Sequence, residues 1–573
     1  MRDLLPIQPR QFFRTQFLPP LVLALMFVAW LGLAPWRPML ASDDFGFYDS
    51  VIRTMTEGRP IVSDWLSPAT VGLSLPAVLG TWLVGDLWIG SMVIMGLFGV
   101  VGLAALWSFL HRLAMPPGKI ALTMLIVGFF PIYIGKWTRF ESSVPAISLQ
   151  FTALALMIRV FRPYVHMPRP AWFYSLVAGI CIAWAVAIRQ NHIVTIFVCV
   201  LGILLTPSLQ QRGLLLITWT LPAILTLIGL RLWVPLTFAQ RTATFDTVIA
   251  QFSVVAYGTA LLRNMSLSLG IAMVLVQLIV PRTIFILLRQ MTGLSWLIGL
   301  TSSAVLLLYA GSHQWWLLPY FHVLLLQLTP SILLIVSLLL GSLCWWSVVT
   351  NISRSVDPWI SGGLLLMLVG YLALMAAWGY LDYYLLEPIM LLVIMLLMHT
   401  TADSNYATNQ IRSPRLLLRF ALGRIALVTV ITIYILLSWT IQRMSNDVQA
   451  TQLQVIEHAF RDHIAIPADI EHAPFGLLGW NLFPHQIARW SANPNGLSLA
   501  FWELESPYPS VGFRWGCQIH DHILRSGSAQ VGWQPQCWSL VEYTSRPRSA
   551  TLITDHRYLP LTALEWQQLL TGK

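Results

Sequence analysis

The sequence predicts an all-α polytopic membrane protein of about thirteen transmembrane helices, closed by a small C-terminal domain that is α/β or mostly β. Three observations carry this. Apolar stretches of about 20 residues, the length that spans a bilayer, recur along the chain. Only 10% of the 573 residues are charged, against about 25% in a typical soluble domain, while 57% are hydrophobic and mean hydropathy is +0.69. The short alternating segments of a transmembrane barrel are not evident.

Taken in order, the apolar stretches centre near residues 26, 100, 126, 151, 180, 200, 223, 270, 300, 330, 369, 393 and 431. The first, 17–34, lacks a clear small-residue cleavage site and reads as a retained span. Segment 68–84 is apolar but short and carries Gly and Pro, so it reads as a helix lying at or dipping into the membrane surface. Segment 319–349 admits one break or a long tilted helix. Cys181, Cys199 and Cys344 fall in apolar spans and read as packing residues. The membrane domain is placed at 1–440, with a first outer loop at 36–87, and a soluble extracytoplasmic domain at 441–573. That tail is polar, rich in Trp and His, and broken by Pro, Gly and Asn; 498–503, 538–543 and 550–554 read as strands. Its Cys517 and Cys537 suit a disulfide in an oxidising compartment, the alternative being two buried thiols.

Charge orients the spans. Sixteen basic residues fall on one set of loops: Arg2, Arg10, Arg14, Arg112, Lys119, Arg159, Arg162, Arg169, Arg212, Arg282, Arg289, Arg354, Arg412, Arg415, Arg419 and Arg424. By the positive-inside rule that side, with the N-terminus, is cytoplasmic, and an odd number of spans puts the tail outside. The formal net charge is +10, of which the stretch from Arg443 to Lys573 contributes −2 (9 Lys and Arg against 11 Asp and Glu). A basic excess confined to the membrane part reports topology and anionic lipid rather than nucleic acid.

The outward loops hold nearly every unusual polar residue. Asp43-Asp44 follow the first span and precede Phe45, Phe47, Tyr48 and a helical stretch. Such a carboxylate pair can supply a general base for an acceptor hydroxyl, the second acid holding a metal or orienting the first; it can also cap a helix. In Lys136-Trp137-Thr138-Arg139-Phe140-Glu141, Arg139 can clamp a phosphate and Glu141 can bind a metal or a sugar hydroxyl, the alternative being snorkelling by the two cations. Arg189-Gln190-Asn191-His192 suits a polar cavity wall or a short exposed turn. Residues 378–388 place Asp382, Tyr383, Tyr384 and Glu387 in an aromatic belt, where the acids are out of the ordinary. Arg241, Asp246 and His313 lie in further outward loops that could gate the site or bind acceptor, a role also open to Tyr48, Asp382 and Glu387. The tail's His520-Asp521-His522 lacks further spaced ligands and reads as surface.

These motifs, in this order and on one side of the membrane, resemble the GT-C superfamily of polytopic glycosyltransferases. The acid pair, the aromatic-spaced helix after it and Glu57-Gly58-Arg59-Pro60 are most similar to arabinosyltransferase-like and protein-mannosyltransferase-like members. Arg139-Phe140-Glu141 resembles the family's second acidic position, and Tyr383-Tyr384-Leu385-Leu386-Glu387-Pro388 its late Arg-Tyr-x-x-x-Pro-type motif. Tyr383 stands where that motif has a basic residue, so Arg189 or another outward Arg would have to clamp the phosphate.

The resemblance implies a multi-pass cell-envelope enzyme of the bacterial inner (plasma) membrane. It would move a hexosyl or pentosyl group from a polyprenyl-phosphate donor to a hydroxyl of a glycan, lipid or protein acceptor, with inversion. Asp43 would be the base and Asp44 the second choice. Arg139, Glu141, Arg189, Asn191, His192, Tyr383 and Tyr384 would line the donor's phosphate and sugar. A divalent ion such as Mg or Mn, if used, would fall to Asp44 and Glu141. The tail, with Trp480, Trp490, Trp502, Trp515, Trp533, Trp538 and Trp566, would bind acceptor or glycan, or use those rings as its core. A lipid-linked glycan polymerase or ligase and a lipid-linked glycan transporter are the other classes that fit many spans and outward charge.

Overall fold

In the computed structural model the described residues are 17–36, 44–62, 70–162, 169–206, 209, 211–234, 254–280, 283–312, 330–350, 358–378, 385–407, 428–436, 438–439 and 442–443, with four strand segments in the tail. Helices stand at nearly every apolar centre. They are α1 (Leu18–Leu33), α2 (Asp44–Glu57), α3 (Val71–Val84), α4 (Leu87–Arg112), α5 (Pro117–Gly128), α6 (Pro131–Trp137), α7 (Ser143–Phe161), α8 (Ala171–Val186), α9 (Ile193–Leu205), α10 (Arg212–Trp233), α11 (Val254–Ile279), α12 (Thr283–Arg289), α13 (Gly293–Ser312), α14 (Pro330–Thr350), α15 (Pro358–Trp378) and α16 (Leu386–Ala407).

This is a multi-pass membrane protein, but its spans are less uniform than the sequence suggests. Among the described residues five helices are long and apolar enough to cross a membrane, and up to seven if each bent pair counts as one span. Some of the thirteen stretches are broken or short for physical reasons. Pro131 starts α6 and forces a break after α5, bending the pair by 67°, and α12 turns 115° into α13. Several others, including α1, α3 and α8, are 14–16 residues long. The stretch centred near 330 is helical as Pro330–Thr350, while 313–329 lie outside the described residues.

Two packing groups organise the bundle. In the first, α4 is flanked by α3, α7 and α1, and α7 continues through α8 to α10. The segment expected at the membrane surface is one arm of a tight hairpin. Gly85 turns the chain at φ +79°, Asp86 Oδ1 accepts from the Ile89 N–H at 2.8 Å to cap α4, and Gly80 meets Gly90 backbone to backbone. The other face of α3 leaves Leu75, Leu79, Trp82 and Leu83 exposed, an apolar stripe suited to lipid. In the second group α11 packs on α14, α15 and α16. Gly270 and Gly341 there lie against the backbones of Ser337 and Ser266, the close crossing that small residues allow in membranes.

The last described helical residues close back on the beginning. Trp439 lies against Gly32, Tyr434 donates to the Ile126 carbonyl at 3.0 Å, and Gln442 Nε2 donates to Thr138 Oγ1 at 3.2 Å. Cys199 and Cys344 are buried and Cys181 half-buried, all three as thiols. In the tail, β1 (Ser498–Phe501), β2 (Ser510–Trp515), β3 (Trp538–Tyr543) and β4 (Ala550–Leu552) form one sheet in that order. β1 and β2 run parallel, and the other two pairs antiparallel. Cys517 and Cys537 lie outside the described residues.

Candidate functional site

The break between α5 and α6 sets up the site. α6 is only seven residues long, and its C-terminal end delivers Lys136 and Trp137 into the bundle instead of out of it. Trp137 is the anchor. Its ring lies against Gly99 of α4, where no side chain would fit, and its Nε1–H donates to the Met95 carbonyl at 3.0 Å. Trp30 of α1 stacks on it at 6.0 Å and donates to the Trp137 carbonyl. With the backbone held, the following turn buries its charges. Lys136 Nζ lies 3.0 Å from Glu141 Oε2, and Ser143 Oγ donates to Glu141 Oε1 at 2.9 Å. Lys136, Arg139 and Glu141 are all buried, so neither cation snorkels to solvent. The Lys136–Glu141 contact is a charge pairing without hydrogen-bond geometry at Oε2.

A second ion pair assembles nearby from three distant segments. α8 ends at Val186, and a 3-10 turn, Gln190–His192, leads into α9. Arg189, just before that turn, donates from Nη1 to Glu387 Oε1 at 3.0 Å, both side chains buried. Glu387 sits in the first turn of α16, where the helix dipole favours a carboxylate. His192 Nε2 is 3.8 Å from the same oxygen, and His192 Nδ1 is 2.8 Å from the Tyr371 hydroxyl. Gln150 Nε2 donates to both Tyr371 Oη (3.0 Å) and Thr195 Oγ1 (2.9 Å), so α7, α9 and α15 share one buried polar network. Ser143, which bonds Glu141, opens α7, the helix that carries Gln150, so one helix joins the two groups of buried polar residues. Three buried acceptors, Glu141 Oε2, Glu387 Oε2 and Asn191 Oδ1, have no hydrogen bond.

The helix that follows the first apolar helix docks on the turn after Trp137. Phe47 and Tyr48 of α2 pack on Phe140, at ring separations of 5.9 and 4.8 Å, and Tyr48 also meets Trp88 at 4.7 Å. Phe140 stands between Arg139 and Glu141 in the chain. Position 44 opens α2 and, by helical spacing, shares a face with positions 47 and 48.

Several expectations change here. Glu387, grouped with gating or acceptor residues, is a buried partner of Arg189. Tyr48 is 1% exposed and serves as a docking ring rather than a gate. The 189–192 segment is no exposed turn: Arg189 and His192 are buried, and only Gln190 faces out. Glu141 Oε1 accepts from Ser143 and its Oε2 faces Lys136 without a hydrogen bond; the side chain of Asp44, the other ligand expected for a divalent ion, lies outside the described residues. Asp43, Arg241, Asp246, His313, Asp382, Tyr383 and Tyr384 lie outside the described residues. Sequence reasoning missed Gln150, Thr195 and Tyr371; a lone Gln in an apolar helix was the one available signal.

No protein-family model matches the chain, and no curated protein matches it. Among solved structures it is similar to ArnT from Cupriavidus metallidurans bound to undecaprenyl phosphate, at 10% identity over 90% of this chain and 95% of that one, TM-score 0.37. It is also similar to ArnT from that organism in the apo state, at 12% identity over 86% and 92%, TM-score 0.38. A third is the Archaeoglobus fulgidus oligosaccharyltransferase tethered with an acceptor peptide, at 12% identity over 67% and 56%, TM-score 0.28. At such identities and TM-scores the likeness carries no weight for the reaction, which has to be read from the residues themselves.

Proposed function

We propose that the protein is an integral-membrane glycosyltransferase of GT-C type. It moves a sugar from a polyprenyl-phosphate donor to an acceptor hydroxyl on the outer face of the membrane. The observation that carries this reading is the docking of α2, which begins at Asp44, on Phe140 between Arg139 and Glu141. Motifs separate in sequence thereby meet at one end of a membrane bundle.

The cluster's charge suits a phosphate-bearing donor. Three cations (Lys136, Arg139, Arg189) are buried with two carboxylates (Glu141, Glu387), an excess of positive charge in a water-poor site. Buried acceptors with spare capacity, on Glu141, Glu387 and Asn191, suit the hydroxyls of a sugar. In the reaction Asp43, with Asp44 as the second candidate, takes the proton of the acceptor hydroxyl. The acceptor oxygen forms its bond to the anomeric carbon, and the bond from that carbon to the lipid phosphate breaks. Single displacement inverts the centre. Arg139 and Arg189 hold the phosphate as its charge develops. The tail is assigned to acceptor or glycan binding. A transporter would place charge along a path through the bundle, whereas the buried charges here, Lys136, Arg139, Glu141, Arg189 and Glu387, all lie at or beside helix ends.

The test is sugar transfer in membranes carrying the intact chain, compared with Asp43→Asn and Asp44→Asn at matched expression. One variant should lose about 10²–10⁴-fold in transfer while polyprenyl-phosphate sugar accumulates. Parental activity in both variants would reduce the acid pair to a helix cap and overturn the reading.

A further inference from the structure

Next to the polar network the same helices enclose a different kind of space. α7, α9 and α15 run from the ionic cluster to the end of the bundle that carries Arg112, Arg159, Arg162 and Arg212; the 19 residues of α7 alone cover about 28 Å. There, with the end of α4, they form a cleft of about 400 Å³. Its walls are apolar, with Phe109, Leu154, Met157, Val198, Leu364 and Met367 prominent. Arg162 and Thr206 supply polar lining, and Arg212 Nη2 donates to the Thr206 carbonyl at 3.0 Å. Arg162 therefore lines an otherwise apolar cleft, and the Arg212 guanidinium bonds a residue of its wall. Trp359, 76% exposed, stands on the same rim.

A cleft of this kind in a membrane bundle is filled from the bilayer, and its occupant is distinguished by its headgroup. Guanidinium groups present planar donors that match phosphate oxygens, and basic pockets between transmembrane helices select anionic headgroups. An exposed Trp at a rim suits the headgroup level of the interface. We propose that this cleft is a binding site for an anionic diacyl phospholipid from the leaflet on the arginine-rich side. One acyl chain lies between α7, α9 and α15, and the phosphate sits between Arg162 and Arg212. A zwitterionic lipid has the same phosphate but brings its own ammonium, which these cations repel. The site is distinct from the ionic cluster, and its occupancy does not depend on the reaction assigned there.

The experiment reconstitutes the full chain in vesicles containing phosphatidylglycerol or phosphatidylcholine with a photoactivatable acyl chain, and maps the labelled peptides by mass spectrometry. The phosphatidylglycerol probe should label the cleft ends of α7, α9 and α15, and the phosphatidylcholine probe should label them weakly. Arg162→Gln and Arg212→Gln should each lower the phosphatidylglycerol label about fivefold. Gly363→Leu should remove it, since a side chain there starts in open space, with Val198 Cγ1 at 4.0 Å its nearest contact. Thermal unfolding of the arginine variants in phosphatidylcholine alone should match the parent, which separates loss of the site from loss of the fold. Equal labelling by both probes, indifferent to the arginine substitutions, would overturn the proposal. So would displacement of the label by a polyprenyl phosphate but not by unlabelled phosphatidylglycerol, or cross-links to a second copy of the chain.

Discussion

Two neighbouring levels of α7, α9 and α15 solve opposite problems with the same three helices. At one level Gln150, Thr195 and Tyr371 meet His192 and the Arg189–Glu387 pair in a buried polar network. At the other, Leu154, Val198 and Leu364 wall a cleft with arginines at its mouth. The polar level is bonded largely within the chain, by partners up to 221 residues apart, and leaves Glu387 Oε2 open. The apolar level is left for the bilayer to complete. Stability and chemistry at the first should therefore respond to single side chains, and at the second to lipid composition.

The strongest way to break this comparison is to strip one member of the buried ion pair. Glu387→Ala leaves Arg189 charged and buried, and should destabilise the protein by about 3–5 kcal/mol, read as denaturant or thermal unfolding in detergent. Combining Arg189→Met with Glu387→Leu should recover most of that loss while sugar transfer stays absent, because an apolar pair restores packing but not charge. A silent Glu387→Ala would mean the network is open to water, and the contrast between the levels would fail.

A smaller effect is expected at the anchor. Trp137→Phe keeps an aromatic ring against Gly99 but removes the bond to the Met95 carbonyl and part of the filled volume, for about 2 kcal/mol in the same unfolding measurement. Transfer should fall further than stability, since the turn bearing Lys136 to Glu141 shifts with the ring. Smallest is Tyr371→Phe, which removes one hydroxyl bonded by Gln150 and His192. A cost of about 1 kcal/mol is expected, in line with the modest worth of hydrogen bonds between transmembrane helices. A larger loss would sharpen the comparison by assigning that hydroxyl a part in holding His192 for substrate.

Much of this was legible in the sequence, for identifiable reasons. Apolar length and composition locate helices, and α4, α7, α10, α11 and α15 stand where hydropathy puts them. The outward polar motifs were visible because charge next to a span is costly and therefore rare. What could not be read was who pairs with whom. Arg189 and Glu387 are 198 residues apart, and nothing local to either names the other. Tyr371 looked like any aromatic within a span, and the sequence left snorkelling open for Lys136 because the 67° bend that turns it toward Glu141 depends on how α6 packs. The packing of α3 on α4 was hidden for a similar reason: the Gly80–Gly90 approach is a tertiary event written in two small residues.

The bond from Gln442 to Thr138 carries a consequence for how the chain is made. These residues are 304 positions apart, and Tyr434 and Trp439 fasten the same late segment to α5 and α1. During synthesis the turn bearing Lys136, Arg139 and Glu141 is inserted early, yet its last neighbours emerge only after every intervening span. The turn is thus closed over at Thr138 only late in translation. A chain stopped anywhere between α7 and residue 428 would lack that contact, and should be less stable than the whole protein.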